Sequence, residues 1–280
     1  VIEVLRRYPV IPALIIALLL FTAVAEQWIL PHNPERADLR VRHTPPFWMD
    51  HEDASISYFL GTDALGRDIL SKIIAGARVT VLVVVAAVGT GIIVGTTVGL
   101  VSGFFGGIVD DVVMRIVDAW NILPGLLIIL VVVLVLGQGL WTLIGVLAMI
   151  SWPGAVRLVR AETLSLKSRE YVSLARVAGA SNTRIMIRHI LPGVVNIVIV
   201  TATLGTGNII LTEAALSFLG AGIPPPEPSW GRMISEERQY IDAAWWTSLF
   251  PGLVIAMVVM SGNFLGDWFR DRVDPTLRQL

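Results

Sequence analysis

The sequence contains no cysteine and only two lysines, Lys72 and Lys167, among 280 residues. Without cysteine there are no disulfides, cysteine zinc sites, thiolate nucleophiles or cysteine-ligated iron–sulfur clusters. Neither lysine falls in the Gly-x-x-x-x-Gly-Lys-Ser/Thr pattern that cradles nucleotide phosphates, so no phosphate loop of this kind is present. Charge is scarce: 15% of residues are charged, against roughly 25% in ordinary domains. The 22 acidic and 21 basic residues nearly cancel, to −1, so no bulk basic field exists to hold nucleic acid. His32, His43, His51 and His189 lack the close spacing of a metal site. The expectation is a chain that binds no metal, cofactor or nucleic acid and is not by itself an enzyme.

Apolar residues are abundant, at 55%, with a mean hydropathy of +0.74. Six runs are long enough to cross a hydrocarbon core of about 30 Å as helices rising about 1.5 Å per residue. They lie near Val10 to Leu30, Val79 to Phe105, Val112 to Leu136, Leu140 to Val156, Val194 to Leu219 and Leu249 to Trp268. The runs are continuously apolar rather than alternating, which selects helices over barrel strands. The fold class is therefore an all-α membrane protein with six transmembrane helices. The first run also imitates a secretory signal, with Arg6, Arg7 and the small triplet Ala23-Val24-Ala25; it is read as an uncleaved helix. The chain divides into an N-terminal region with the first helix (1–30), a polar external segment (31–78) and a core of five helices (79–280).

Six crossings put both termini on one side, and basic residues mark the cytoplasmic side. With the termini inside, 13 of the 21 basic residues fall inward, among them Arg6, Arg7, Arg115, Arg270, Arg272 and Arg278. The bias is densest between Arg157 and Arg188, which makes the loop between the fourth and fifth spans cytoplasmic. On the other side lie 31–78, where Trp48, Tyr58 and Phe59 suit a membrane interface, and 220–248, with the stiff Pro224-Pro225-Pro226 and a short helix around Arg232 to Tyr240. Glu213 is the clearest acid inside a span. One buried acid is thin support for a proton relay, and a structural acid paired with a neighbouring polar group is the preferred reading.

The inward loop reads R-E-Y-V-S-L-A-R-V-A-G-A-S-N-T-R-I-M-I-R-H-I-L-P, from Arg169 to Pro192. This pattern predicts a short helix, a turn at Gly179, a cap at Ser181 or Asn182, and a second helix ended by Pro192. Val172, Ala175 and Arg176 share one helical face, and Ile185, Ile187 and Ile190 make the second helix partly apolar. A compact helix-turn-helix of small and basic residues is a rigid knob suited to another protein's groove.

This loop resembles the "EAA" loop of ABC-importer permeases, in particular the second (C-type) permease of dipeptide and oligopeptide systems. In that family Glu-Ala-Ala is followed by three residues, Gly, and a closing Leu-Pro. Here Ser173, Leu174 and Ala175 take the Glu-Ala-Ala positions, Gly179 the glycine, and Leu191-Pro192 the close. Ser173 and Leu174 depart from the pattern, and Glu170, one turn earlier, is the substitute for the missing glutamate. The resemblance also rests on G-T-D-A-L-G-R-D-I-L-S-K-I-I-A-G-A-R (Gly61–Arg78), E-A-A-L-S-F-L-G (Glu213–Gly220), P-S-W-G (Pro228–Gly231) and L-G-D-W-F-R-D-R-V-D-P (Leu265–Pro275).

The resemblance implies a type I importer permease in a bacterial or archaeal cytoplasmic membrane, both termini cytoplasmic. It would form half of a pathway for di- or oligopeptides, with nickel complexes or glutathione as alternatives. The implied partners are a second, homologous permease, two ATPase subunits carrying ATP and Mg, an extracytoplasmic peptide-binding protein and membrane lipid. The coupling residues carried over are Glu170, Ser173, Ala175, Gly179, Ala180, Ser181, Arg184, Arg188 and Pro192. A secondary carrier would instead show an inverted repeat and several acids within its spans. Independently of the family, Gly91, Gly95, Gly99 and Gly103 recur every four residues, a spacing that lets helices approach closely in lipid. Their neighbour is either a helix of this chain or the partner permease.

Overall fold

The computed structural model describes residues 9–51 and 54–273. Arg6, Arg7, Arg278 and the closing Asp274-Pro275 lie outside them. Helix α1 (Val10–Ile29) coincides with the first expected span to within a residue. Helix α2 (Ile69–Phe105) starts ten residues before the apolar run does, because the Asp68 carboxylate accepts the Ser71 amide at 3.0 Å and caps it. At about 1.5 Å per residue it is about 55 Å long, well beyond a hydrocarbon core.

The third expected span is not one helix. It consists of α3 (Gly107–Ile122) and α4 (Gly125–Leu136), bent by 82°. Pro124 cannot continue a helix and forces Leu123 before it into an extended conformation. The polar side of α3 is tied to the helix that follows the bent pair, Leu140–Lys167, by Asp110–Arg160 and Asp118–Arg157 pairs. Among the described residues five helices are long and apolar enough to cross a membrane, and the bent pair makes a sixth crossing if counted as one.

Helix α5 (Leu140–Lys167) runs eleven residues past its expected end, with Pro153 inside it. Two short helices, α6 (Glu170–Val177) and α7 (Asn182–Ile185), lead through one π turn (Met186–Ile190) into α8 (Leu191–Phe218). Pro192 therefore does not end the second loop helix. Its ring would clash with the carbonyl four residues back, and the π turn, in which the Leu191 amide bonds Met186 O, widens the helix just before it. From Asn182 to Phe218 the helix is continuous for 37 residues. After α9 (Trp230–Glu237), α10 (Trp246–Val273) completes the bundle.

The glycine quartet faces α5. A methyl group at Gly91, Gly95, Gly99 or Gly103 would fall within 3 Å of Ser151, Ala155, the Val156 carbonyl or Thr163 respectively. The two helices thus run parallel with their backbones nearly touching. The bundle has two unlike ends. At the loop end, Leu100, Phe104, Val159, Val172, Ile185, Ile190 and Val194 form an apolar cluster under α6 and α7. At the cap end, residues 31–68 and 220–245 fold together over Ile69, Ile73, Trp230, Met233 and Trp246.

Candidate functional site

The loop end carries the expected helix-turn-helix. Helix α6 ends in a Schellman motif: Ala180 N–H donates to Ala175 O at 3.0 Å and Gly179 N–H to Arg176 O at 3.0 Å. Gly179 stands at φ +80°, a left-handed conformation that a side chain resists. Ser181, rather than Asn182, caps α7 by accepting the Arg184 amide at 3.4 Å. Val172, Ile185 and Ile190 are fully buried among residues of α2, α5 and α8, with Ala175 and Ala180 half-buried beside them. Tyr171 Oη donates to His189 O at 3.3 Å and ties the two arms. The outward face shows Tyr171, Leu174, Val177 (87% exposed) and Ile187, with Glu170, Ser173, Arg184, Arg188 and Pro192 also exposed. The knob is thus seated on an apolar base and presents an outer face of apolar and basic side chains.

The cap end holds a constellation that sequence reading did not single out. Asp63 accepts from Arg67 Nε at 2.7 Å and Lys72 Nζ at 2.8 Å, while Glu236 accepts from Arg67 Nη2 and from Arg232 Nε, each at 2.8 Å. Lys72 and Asp63 are almost wholly buried. Burial alone would push Asp63 up, but Lys72 and then Arg67 hold its carboxyl below the usual carboxylate range. Glu236 is depressed in the same way: burial opposes, and Lys72, Arg67 and Arg232 prevail. Arg67 is raised despite its own burial by Asp63 and Glu236. The network clasps 31–68 to α9, assisted by Glu237, which accepts the Ala64 amide at 3.0 Å and lies 3.3 Å from His43 Nε2. One signal was available in the sequence, a lone lysine at the start of a long apolar helix.

Glu213, at the cap end of α8, is 2% exposed and accepts from Ser217 Oγ at 2.8 Å and Ser229 Oγ at 3.0 Å. Ser229 belongs to P-S-W-G, so this acid joins α8 to the cap. The neighbouring Trp230 donates from Nε1 to Ile73 O at 3.0 Å, and a methyl at Gly231 would collide with the Ala214 carbonyl. Three of the five segments that carry the resemblance therefore meet at one place. Beside them opens a cavity of about 280 Å³ lined by Gln138, Ser217, Pro224, Arg232, Ser235 and Glu236.

A multi-pass helical bundle with a seated helix-turn-helix knob at one end is the architecture of a transporter's membrane-spanning permease subunit. In fold it matches a chain of the MetNI methionine ABC transporter, solved in inward facing conformations, with a TM-score of 0.60 at 18% identity, covering 74% of this chain and 98% of that one. Residues 95–279 match the family model described as "binding-protein-dependent transport system inner membrane component". The di/tripeptide transport system permease protein DppC of Pseudomonas aeruginosa is 39% identical, over 95% of this chain and 87% of that protein. The dipeptide transport system permease protein DppC of Haemophilus influenzae is 39% identical, over 98% and 92%. The glutathione transport system permease protein GsiD of Pectobacterium atrosepticum is 37% identical, over 98% and 89%. The chain belongs to this family of binding-protein-dependent inner membrane components, and is a permease subunit of an ABC importer.

Proposed function

We propose that the chain forms half of a translocation pathway for di- or oligopeptides and converts ATP-driven motion of separate subunits into access. The observation that carries this reading is the knob at 169–192: it stands on an apolar cluster shared with α2, α5 and α8, so force on its exposed face reaches three long helices at once. Two ATPase subunits, holding ATP and Mg, grip Leu174, Val177, Arg184 and Arg188. A second, homologous permease completes the pathway, and an extracytoplasmic peptide-binding protein delivers substrate to the cap end. With α3 and α4 counted as one crossing, the helices alternate in direction, and both termini and the knob share the cytoplasmic side. The peptide assignment is supported by the two dipeptide relatives. Glutathione, itself a tripeptide, is the second reading, favoured by the third relative.

The complete complex in proteoliposomes is the test. ATP-dependent uptake of a labelled dipeptide, competed by other dipeptides and weakly by glutathione, is expected. Uptake of glutathione in preference to dipeptides would select the second reading, and uptake driven by a proton gradient without ATP would overturn both.

A further inference from the structure

The cap carries an aromatic cluster that neither the knob nor the ion network uses. Phe47, Trp48 and Phe59 pack edge and face on one another at ring separations of 4.7 to 5.8 Å. Trp48 also meets Phe250 at 5.9 Å, and Phe250 meets Trp245 at 6.1 Å. Phe47, Trp48, Phe59 and Trp245 are nonetheless exposed. The buried pair Pro45-Pro46 braces the segment, and the Met49 amide closes a turn on Pro46 O at 3.0 Å. These rings are therefore held outward rather than left loose.

What lies next to the cluster identifies its partner. Phe250 is in the first turns of α10, whose exposed residues Leu249, Leu253, Met257, Met260 and Phe264 recur along one face. In a membrane span such a stripe faces lipid. The groove between α1, α2 and α10 just below Phe250, about 180 Å³ and lined almost wholly by apolar side chains, opens between Leu18 and Met257, both exposed. Trp28, at the same end of α1, is exposed as well. Aromatic rings ending a lipid-facing stripe are characteristic of the headgroup layer, where an apolar body and, for tryptophan, a polar N–H are both accommodated. We propose that Phe47, Trp48 and Phe59 lie in the headgroup layer of the leaflet at the cap end, making this part of the cap an interfacial anchor that fixes its depth.

The absence of cysteine makes the test direct. An environment-sensitive fluorophore on Phe59→Cys, or on Ile56→Cys should the first variant fold poorly, is measured in the full complex in phosphatidylethanolamine/phosphatidylglycerol vesicles. Lipids with a nitroxide at the headgroup or the top of the acyl chain are expected to quench it several-fold more than aqueous iodide does. The same fluorophore on Asp242→Cys, an exposed polar position of the cap, should show the reverse. Quenching of Phe59→Cys by iodide alone overturns the anchor. So does lipid quenching seen for the isolated chain but lost in the complex, because a protein partner then covers the patch.

Discussion

The two ends of the bundle are held by opposite kinds of force. At the loop end Val172, Ile185 and Ile190 sit among apolar side chains, with the Lys167 ammonium over the Phe104 ring at the edge of the seat. At the cap end Asp63, Arg67, Lys72 and Glu236 form an ion network centred on the buried Asp63–Lys72 pair, each bond directed at a particular partner. An apolar seat tolerates sliding while keeping contact, which suits a surface that must pass on a push. A buried ion network loses much when one partner moves, which suits a closure that is either made or broken.

The strongest test of this contrast is Lys72→Met. Removing one partner of a buried network typically costs about 3 to 5 kcal/mol, so the yield of folded protein and its melting temperature in detergent should drop sharply. Leu174→Ala, on the exposed face of the knob, should leave both unchanged while weakening ATPase copurification. Next in size is Gly179→Val. Its left-handed backbone predicts a local penalty of about 1 to 3 kcal/mol, with normal insertion and either lost docking or hydrolysis uncoupled from uptake. Parallel uptake and hydrolysis measurements decide, and wild-type values in both would remove the knob from the mechanism.

Glu213→Gln keeps an oxygen that accepts from Ser217 and Ser229, so the loss in stability should be no more than about 1 kcal/mol. The variant should assemble and hydrolyse ATP, and no substrate-coupled proton flux should be present to lose. Acid titration sharpens the contrast further. The carboxyls of Asp63 and Glu236 are depressed below their ordinary values of 3.8 and 4.5. Their contribution is fully present above those values and is lost as pH falls through the lower folded ones. Hydrogen exchange should therefore show the cap loosening below about pH 4 before the apolar seat of the loop does. The smallest change in stability belongs to Arg184→Glu and Arg188→Glu, within about 0.5 kcal/mol at these exposed sites. Their effect should appear in ATPase docking and fade with added salt.

Legibility in the sequence followed the range of the interaction. Helix α1 was readable to a residue because lipid alone sets its length. The Gly179 turn was readable, and the cap to within one residue (Ser181 or Asn182), because each is settled by its near neighbours in the chain. The glycine spacing announced a close approach, but only the three-dimensional packing identifies α5 as the neighbour. The early start of α2 escaped a hydropathy reading because Asp68 begins the helix outside the apolar run, and Pro124 broke a span that hydropathy had joined. Lys72 hinted at the ion network, but its partners could not be read because Arg67 and Glu236 are 169 residues apart. The π turn escaped because Pro192 normally signals an end rather than a detour.

The unbroken helix from Asn182 to Phe218 has a mechanical consequence. Knob and cap are joined by one beam of about 55 Å, with α7 at one tip and the Glu213 clasp near the other. A tilt of about 5° about its midpoint displaces each tip by about 2 Å in opposite directions, from the length alone. That distance suffices to part Ser229 from Glu213. The π turn at Met186–Ile190 lies near the knob end of this beam.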